Sequence, residues 1–190
     1  MRCSLSVAIC AISVALVGCS DPQSESESKH VEQSAVVPAS FFTQDRPVDV
    51  ADLKAVRDSA SKGDAVTFLA RVGGRVRPFI KTQAIFVVTD PKLDSCELMS
   101  MTESCKVPWD YCCEDPDSLK VNVATVRLLD DGKPIRVSAK GAGGLEEAKF
   151  VVVSGTVNDI NDEGLFIVNA TQVWVGGKPV FGKPRLGSGE

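Results

Sequence analysis

The chain has almost no histidine, and its single histidine, His30, lies in a Ser/Glu-rich segment near the N-terminus. Catalytic triads with a histidine base, Cys–His nucleophilic pairs and histidine zinc sites are therefore excluded from the rest of the chain. The sequence also lacks a GxGxxG strand–helix motif and a P-loop, the common nucleotide-binding loops. Enzymatic chemistry is consequently not expected, with the exception of cysteine redox chemistry.

An excess of positive charge is also missing, since the formal net charge is −4 at pH 7. Phosphate contacts supply most of the affinity of nucleic-acid-binding proteins, so nucleic acid is not an expected partner of this chain. A local cluster of cations lies on the first predicted strand and its exit, at Arg71, Arg75, Arg77 and Lys81. This strand-one face is either an ordinary solvated surface or a binding surface for an oligosaccharide, a nucleic acid, anionic lipid or a protein.

The N-terminal residues predict export from the cytoplasm. Arg2 precedes an apolar run over residues 5–17, which has the length of a signal-peptide core and is short for a bilayer span. The run ends in Leu16-Val17-Gly18-Cys19, which resembles the lipobox of bacterial lipoproteins. The resemblance implies cleavage before Cys19 and acylation of Cys19, so that the acyl chains hold the protein at a membrane. The alternative is an ordinary secretory signal with an incidental cysteine.

Composition divides the chain into four parts. Residues 1–18 form the predicted signal peptide, and residues 19–48 form a flexible tether with too little apolar surface to order itself. Residues 49–176 form the predicted domain, and residues 177–190 a loose tail. The protein is thus expected at the extracytoplasmic, periplasmic face of a membrane. Ser20 after the acylated cysteine favours the outer membrane if the host has two membranes.

The pattern of residues 49–176 predicts a mainly β domain with one short helix, beginning at Asp49 or Asp52 and ending near residue 61. Alternating apolar residues predict strands over 65–76, 84–89, 120–129, 150–158 and 165–175, with a shorter strand over 135–138. Asp131-Gly132 predicts a hairpin turn, and residues 145–148 leave room for one helical turn. By strand order and spacing, residues 64–175 resemble an OB-fold barrel of five strands. A β-sandwich or meander is the alternative.

The remaining segment, CELMSMTESCKVPWDYCC at residues 96–113, contains four of the seven cysteines: Cys96, Cys105, Cys112 and Cys113. We predict a long Cys-rich insertion between the second and third barrel strands, because structureless loops of this length are uncommon unless functional. One interpretation is two disulfides, which suit an oxidising compartment. A second is a four-thiolate metal site for zinc, Cu(I) or an iron–sulfur cluster. A third is a redox-active pair, Cys112-Cys113, beside a Cys96–Cys105 bridge.

The last nine residues of this segment carry a more specific pattern. Residues 105–113, CKVPWDYCC, resemble the C-x-x-P-W-D-Y-C-C signature of a group of uncharacterised bacterial lipoproteins and secreted proteins. The resemblance implies that the segment is one unit and implies no activity. Trp109, Asp110 and Tyr111 are expected to present a binding surface for a protein partner or a small ligand.

Overall fold

The computed structural model describes residues 36–93 and 105–178. The predicted signal peptide, Cys19, Cys96 and residues 179–190 of the predicted tail lie outside the described residues. Within these two ranges, no helix is long and apolar enough to cross a membrane.

Eight strands and two α-helices make up this part of the chain. In chain order they are β1 (Phe42–Thr43), β2 (Ala51–Asp52), α1 (Leu53–Ser59), β3 (Ala65–Val72), β4 (Ile85–Thr89), α2 (Pro116–Val121), β5 (Val123–Asp130), β6 (Lys133–Pro134), β7 (Phe150–Ile160) and β8 (Phe166–Val175). A short 3-10 turn spans Ala39–Phe41 and another spans Ala142–Gly144.

Five of these strands close into a barrel. β3 pairs antiparallel with β4 and β7, β4 pairs with β5, and β7 pairs with β8. The ring closes where β5 and β8 pair in parallel, with Val126 opposite Val168. A five-stranded barrel with this order is OB-like, which confirms the predicted fold class.

The core lies inside the barrel and follows the two-residue period of the strands. On β3, the inward side chains are Val66, Phe68, Ala70 and Val72. They meet inward side chains from the other strands, among them Phe86, Val88, Val126, Leu128, Val151, Val153, Phe166 and Val168. α1 adds Leu53, which is fully buried in the same core.

α1 also fixes two connections at one end of the barrel. Its N-cap residue is Asp52, one of the two predicted positions, although the Asp52 side chain makes no capping hydrogen bond. Arg57 on α1 is only 7% exposed. Its guanidinium donates to the carbonyls of Asn161, Gly164 and Val123, at 3.0, 3.2 and 3.4 Å. The helix therefore ties the β7–β8 connection to the start of β5.

The segment before residue 49 also contacts the barrel. β1 pairs in parallel with β8, with Phe42 opposite Val173. Phe41 and Phe42 both pack against the core. Part of the range predicted as tether is therefore attached to the barrel.

Several element boundaries differ from the sequence predictions. The first strand ends at Val72, just before the pair Gly73-Gly74, and not at residue 76. The third begins at Val123 and not at residue 120, because Asp115 caps α2 by accepting from the amides of Asp117 and Ser118. The shorter strand is β6, not residues 135–138. The predicted helical turn over 145–148 is replaced by the 3-10 turn at Ala142–Gly144.

The hairpin turn between β5 and β6 is confirmed. Asp130 pairs with Lys133, and the two residues between them both have positive φ, 46° at Asp131 and 73° at Gly132. Positive φ at both central positions defines the type I′ turn that Asp-Gly favours.

Candidate functional site

The glycine pair after β3 is the point where the cysteine segment contacts the barrel. A Cβ atom on Gly73 would lie 2.6 Å from the Trp109 carbonyl oxygen and 3.0 Å from Cε2 of Tyr111. Gly74 has φ +90° and donates its N–H to the same Trp109 carbonyl, at 2.8 Å. The backbone bends from Gly74 onward, just after β3 ends. The two glycines also let residues 109–111 approach the barrel backbone.

Tyr111 anchors the segment on the barrel. The side chain is 1% exposed, and its ring lies 5.6 Å from the guanidinium carbon of Arg71. Tyr111 adopts φ 59°, a left-handed conformation that is unusual for a large side chain and is sustained here by the surrounding contacts. The phenol therefore faces the barrel, so Tyr111 is not displayed to solvent as part of a binding surface.

Trp109 connects the segment to the loop that follows β3. Its indole Nε1 donates to the carbonyl of Val76 at 3.2 Å. The Trp109 side chain is half-buried. The Trp109 carbonyl also accepts the Gly74 amide, so Trp109 is hydrogen-bonded to the loop at both Gly74 and Val76.

The structure separates the predicted basic cluster into buried and exposed members. Arg71 is 1% exposed and lies beneath Tyr111, so it does not belong to a solvent-facing surface. Arg75, Arg77 and Lys81 are exposed, in the connection between β3 and β4. The strand-one face consequently carries less positive charge than a nucleic-acid or oligosaccharide surface built on all four cations.

Three of the four predicted cysteines lie among the described residues, in the connection from Thr89 to Val123. Cys105 is half-buried, and Cys112 and Cys113 are exposed. The Cys112 and Cys113 sulfur atoms lie 3.9 Å apart, well beyond the ~2.05 Å of a disulfide bond. Asp110 accepts the Cys112 amide at 3.0 Å in an Asx turn that fixes the backbone before the two thiols.

The metal site at Cys96, Cys105, Cys112 and Cys113 stays a prediction. Residues 36–93 and 105–178 contain no group of three or more His, Cys, Asp or Glu side chains arranged to hold a metal ion. The fourth predicted ligand, Cys96, lies outside these ranges.

An open depression of about 610 Å³ brings the two predicted sites together. It is lined by Arg75, Val76 and Arg77 from the β3–β4 connection and by Asp110 and Cys112 from the cysteine segment. The sequence pattern gave no indication that these two groups of residues are neighbours. The glycine pair was the available signal, because adjacent glycines also mark a close approach of another backbone.

A second cavity of about 620 Å³ lies on the other side of Gly74 and Arg75, between α2 and the β7–β8 connection. OB folds commonly bind oligonucleotides and oligosaccharides near the corresponding loops. Its charged lining is mixed and consists of Arg75, Lys120 and Glu163. This cavity was not predicted, because α2 was not predicted.

Comparisons with protein-family models, with curated proteins and with solved structures give no match for this chain. The assignment as an OB-like barrel rests on the strand pairing described above, and the site rests on its own geometry.

Proposed function

We propose that this chain is a lipid-anchored, extracytoplasmic OB-like binding and structural module. In this proposal the acyl chains are attached at Cys19. Cys96, Cys105, Cys112 and Cys113 restrain the cysteine segment through one metal or two disulfides. The depression lined by Arg75, Arg77 and Asp110 is the binding surface. The observation that carries the proposal is the burial of Tyr111 against Arg71, because it makes the segment part of the barrel surface.

An estimate of the energies explains why cysteines are needed in addition to this anchor. Burying a tyrosine removes about 150–250 Å² from water, which contributes at most about 4–6 kcal/mol. The cation–π contact and the two hydrogen bonds of Trp109 add about 1 kcal/mol each. Ordering the backbone of residues 109–113 costs about 5–10 kcal/mol. The contacts therefore only balance the ordering of these five residues, and a crosslink or a metal would supply the remaining restraint.

The positions of the two adjacent thiols suit a shared metal. Two sulfur atoms bound to one tetrahedral zinc at about 2.3 Å are separated by about 3.8 Å. The observed separation between Cys112 and Cys113 is 3.9 Å. Zinc, Cu(I) or an iron–sulfur cluster would take these two thiolates together with Cys96 and Cys105, and would order the segment through its binding free energy. Two disulfides from Cys112 and Cys113 to Cys96 and Cys105 would satisfy the same restraint.

The test begins with intact mass, thiol counting and elemental analysis of the purified protein, which distinguish four thiolates with metal from two bridges. Cys96→Ser and Cys112→Ser are expected to lower the free energy of unfolding by comparable amounts, about 2–5 kcal/mol for a lost bridge. Cys19→Ser is the matched control and should leave barrel stability unchanged. Sensitivity to a chelator alone favours metal, and sensitivity to a reductant alone favours bridges. Equal melting of the parent and of the four single serine variants at Cys96, Cys105, Cys112 and Cys113 would contradict the proposal.

A second candidate function is thiol–disulfide exchange by Cys112 and Cys113. The observation in its favour is that both side chains are exposed with their sulfur atoms 3.9 Å apart. The two thiols would be oxidised to one disulfide while a partner disulfide is reduced to two thiols. Under this hypothesis Cys113→Ser abolishes exchange with a small-molecule disulfide and changes stability little. A strong loss of stability with unchanged exchange would exclude the redox role.

A further inference from the structure

The connection between β3 and β4 combines positive charge with exposed aliphatic side chains. Residues 73–84 include Arg75, Arg77 and Lys81 and no acidic residue. Val76 is 59% exposed and Ile80 is 44% exposed, and these are two of the four large exposed hydrophobic side chains in the described part of the chain. We refer to Arg75, Val76, Arg77, Ile80 and Lys81 as the basic loop.

The basic loop is held in place by the barrel. The amide of Ile80 donates to the carbonyl of Ile85 at 3.0 Å, and Phe79 forms a bridge with Phe86. Phe79 is buried, so the neighbouring Ile80 side chain lies on the opposite, outer side. At the other end, Trp109 donates to the Val76 carbonyl. Val76 and Ile80 are at most about 14 Å apart along the chain, so the loop presents both aliphatic groups within one short stretch.

We propose that the basic loop, together with Trp109, contacts the anionic surface of the membrane that carries the lipid anchor. This deepens the proposed function, because it names the partner of the binding surface, and it rests on the anchor at Cys19. Exposed aliphatic side chains, an amphipathic indole and flanking cations are the composition of surfaces that settle in the headgroup region of a bilayer. Each cation near an anionic leaflet strengthens the attraction.

Charge complementarity favours contact through the basic loop. The chain as a whole has a formal net charge of −4, so an anionic bilayer repels the chain on average while it attracts the cations of the basic loop. Among the residues that the structure describes, Asp110 is the only acidic residue that lines the depression beside the loop, and its Oδ1 accepts the Cys112 amide. The three cations of the basic loop exceed this one carboxylate.

Because the lipid anchor holds the barrel near the bilayer, a weak contact between the basic loop and the membrane is sufficient. The segment from Cys19 to Val36 spans at most about 60 Å when fully extended. The tethered barrel is thus confined near the bilayer at a high effective concentration. A surface whose isolated affinity is low is then occupied for much of the time.

The test measures quenching of Trp109 by lipids whose acyl chains carry bromine near the headgroup. The full chain carries Trp174→Phe, which leaves Trp109 as the only tryptophan. It is reconstituted into vesicles of equal parts phosphatidylglycerol and phosphatidylcholine. Trp109 is expected to be quenched in these vesicles and less so in pure phosphatidylcholine. Arg75→Glu with Arg77→Glu should at least halve the quenching. The matched control, Lys62→Glu with Lys133→Glu, makes the same charge change at exposed positions outside the loop and should leave it unchanged.

The same measurement on Cys19→Ser separates the loop from the anchor. In this form the charge reversal at Arg75 and Arg77 should weaken vesicle partitioning at least about 25-fold. Quenching of Trp109 in vesicle-bound Cys19→Ser supports the loop contact even if Cys19 is not acylated. Absence of quenching in vesicle-bound protein overturns the inference and leaves the anchor proposal standing. Equal quenching in the charge-reversal and control variants also overturns it, and binding of a protein to the loop in place of lipid would then be the alternative.

Discussion

Replacing Gly73 by alanine tests whether the cysteine segment is seated on the barrel as described. The backbone of Gly73 lies outside the left-handed region, so alanine introduces no conformational strain there. The added methyl group would, however, lie 2.6 Å from the Trp109 carbonyl oxygen and 3.0 Å from the Tyr111 ring. The first of these atoms belongs to backbone, which cannot rotate away as a flexible side chain does. We therefore expect residues 109–111 to be displaced.

The size of the effect has an upper bound set by the segment itself. Overpacking of this kind typically costs about 1–3 kcal/mol. Displacement also lengthens the hydrogen bond from the Gly74 amide to the Trp109 carbonyl, which contributes about 1 kcal/mol. If the strain exceeded the stability that docking contributes once the cysteines restrain the segment, the segment would leave the barrel and the loss would stop there. We expect a decrease of about 2–4 kcal/mol in the free energy of unfolding.

The assay combines denaturant unfolding with the rate at which Cys112 and Cys113 react with a thiol reagent. Gly177→Ala is the control, because a Cβ atom at Gly177 would meet nothing within 4 Å. Gly73→Ala should unfold at lower denaturant than the control, with altered Trp109 fluorescence and altered thiol reactivity. If both variants match the parent in stability and in thiol reactivity, the contact between Gly73 and Trp109 is wrong, and with it the described site.

Three further predictions address the anchor, the helix and acid stability. Cys19→Ser should move the protein from the membrane fraction to the soluble fraction, and soluble, unlipidated wild-type protein would refute acylation. Arg57→Ala should lower the free energy of unfolding by about 2–4 kcal/mol, because the buried guanidinium donates to three carbonyls. The control is Lys54→Ala, which removes a partly exposed cation of the same helix. An equal loss of stability in the two variants would refute the argument. Burial is the largest single effect and favours the neutral form of Glu147, but the Lys140 ammonium at 2.6 Å, a backbone hydrogen bond and Lys178 together outweigh it and lower the pKa of Glu147 below 4.5. A lowered pKa gives stability that is present above pH 4.5 and is lost as the pH falls through the pKa of the folded state. Glu147→Gln should therefore be less stable than the parent at pH 7, by under about 1 kcal/mol. This difference between variant and parent should vanish in acid.

The barrel could be predicted from the sequence because each strand carries its own periodic signal. β3 alternates inward Val66, Phe68 and Ala70 with outward residues, and the Asp131-Gly132 turn has a conformation that few other pairs adopt. Such signals are local, so they can be recognised in the sequence without knowledge of the tertiary structure. The start of the third strand was misplaced because Val121 and Val123 continue an alternating pattern into α2. Asp115 followed by Pro116 is a helix-start signal that favours the observed boundary.

The site could not be predicted because its contacts join distant residues on the outside of the barrel. The two-residue period places Arg71 on the outer face of β3, where a charged side chain is normally solvated. It is buried only because Tyr111, far along the chain, covers it. The nearby pair Gly73-Gly74 marks a close approach of another backbone, but it does not identify Tyr111 as the residue that covers Arg71. The same holds for Leu69, the preceding outward residue on β3, which is covered by Val50 and Trp174.

The contacts of Trp109 distinguish an integrated site from an appended loop. A loop that merely connects β4 and β5 would need no bond to the β3–β4 connection. Trp109 instead accepts from the Gly74 amide through its carbonyl and donates to the Val76 carbonyl through its indole. Displacing it breaks both bonds and uncovers backbone groups on either side of Arg75. A metal or disulfides holding the cysteines would therefore also hold the basic loop, so in the proposed function the restraint and the binding surface form a single cooperative unit.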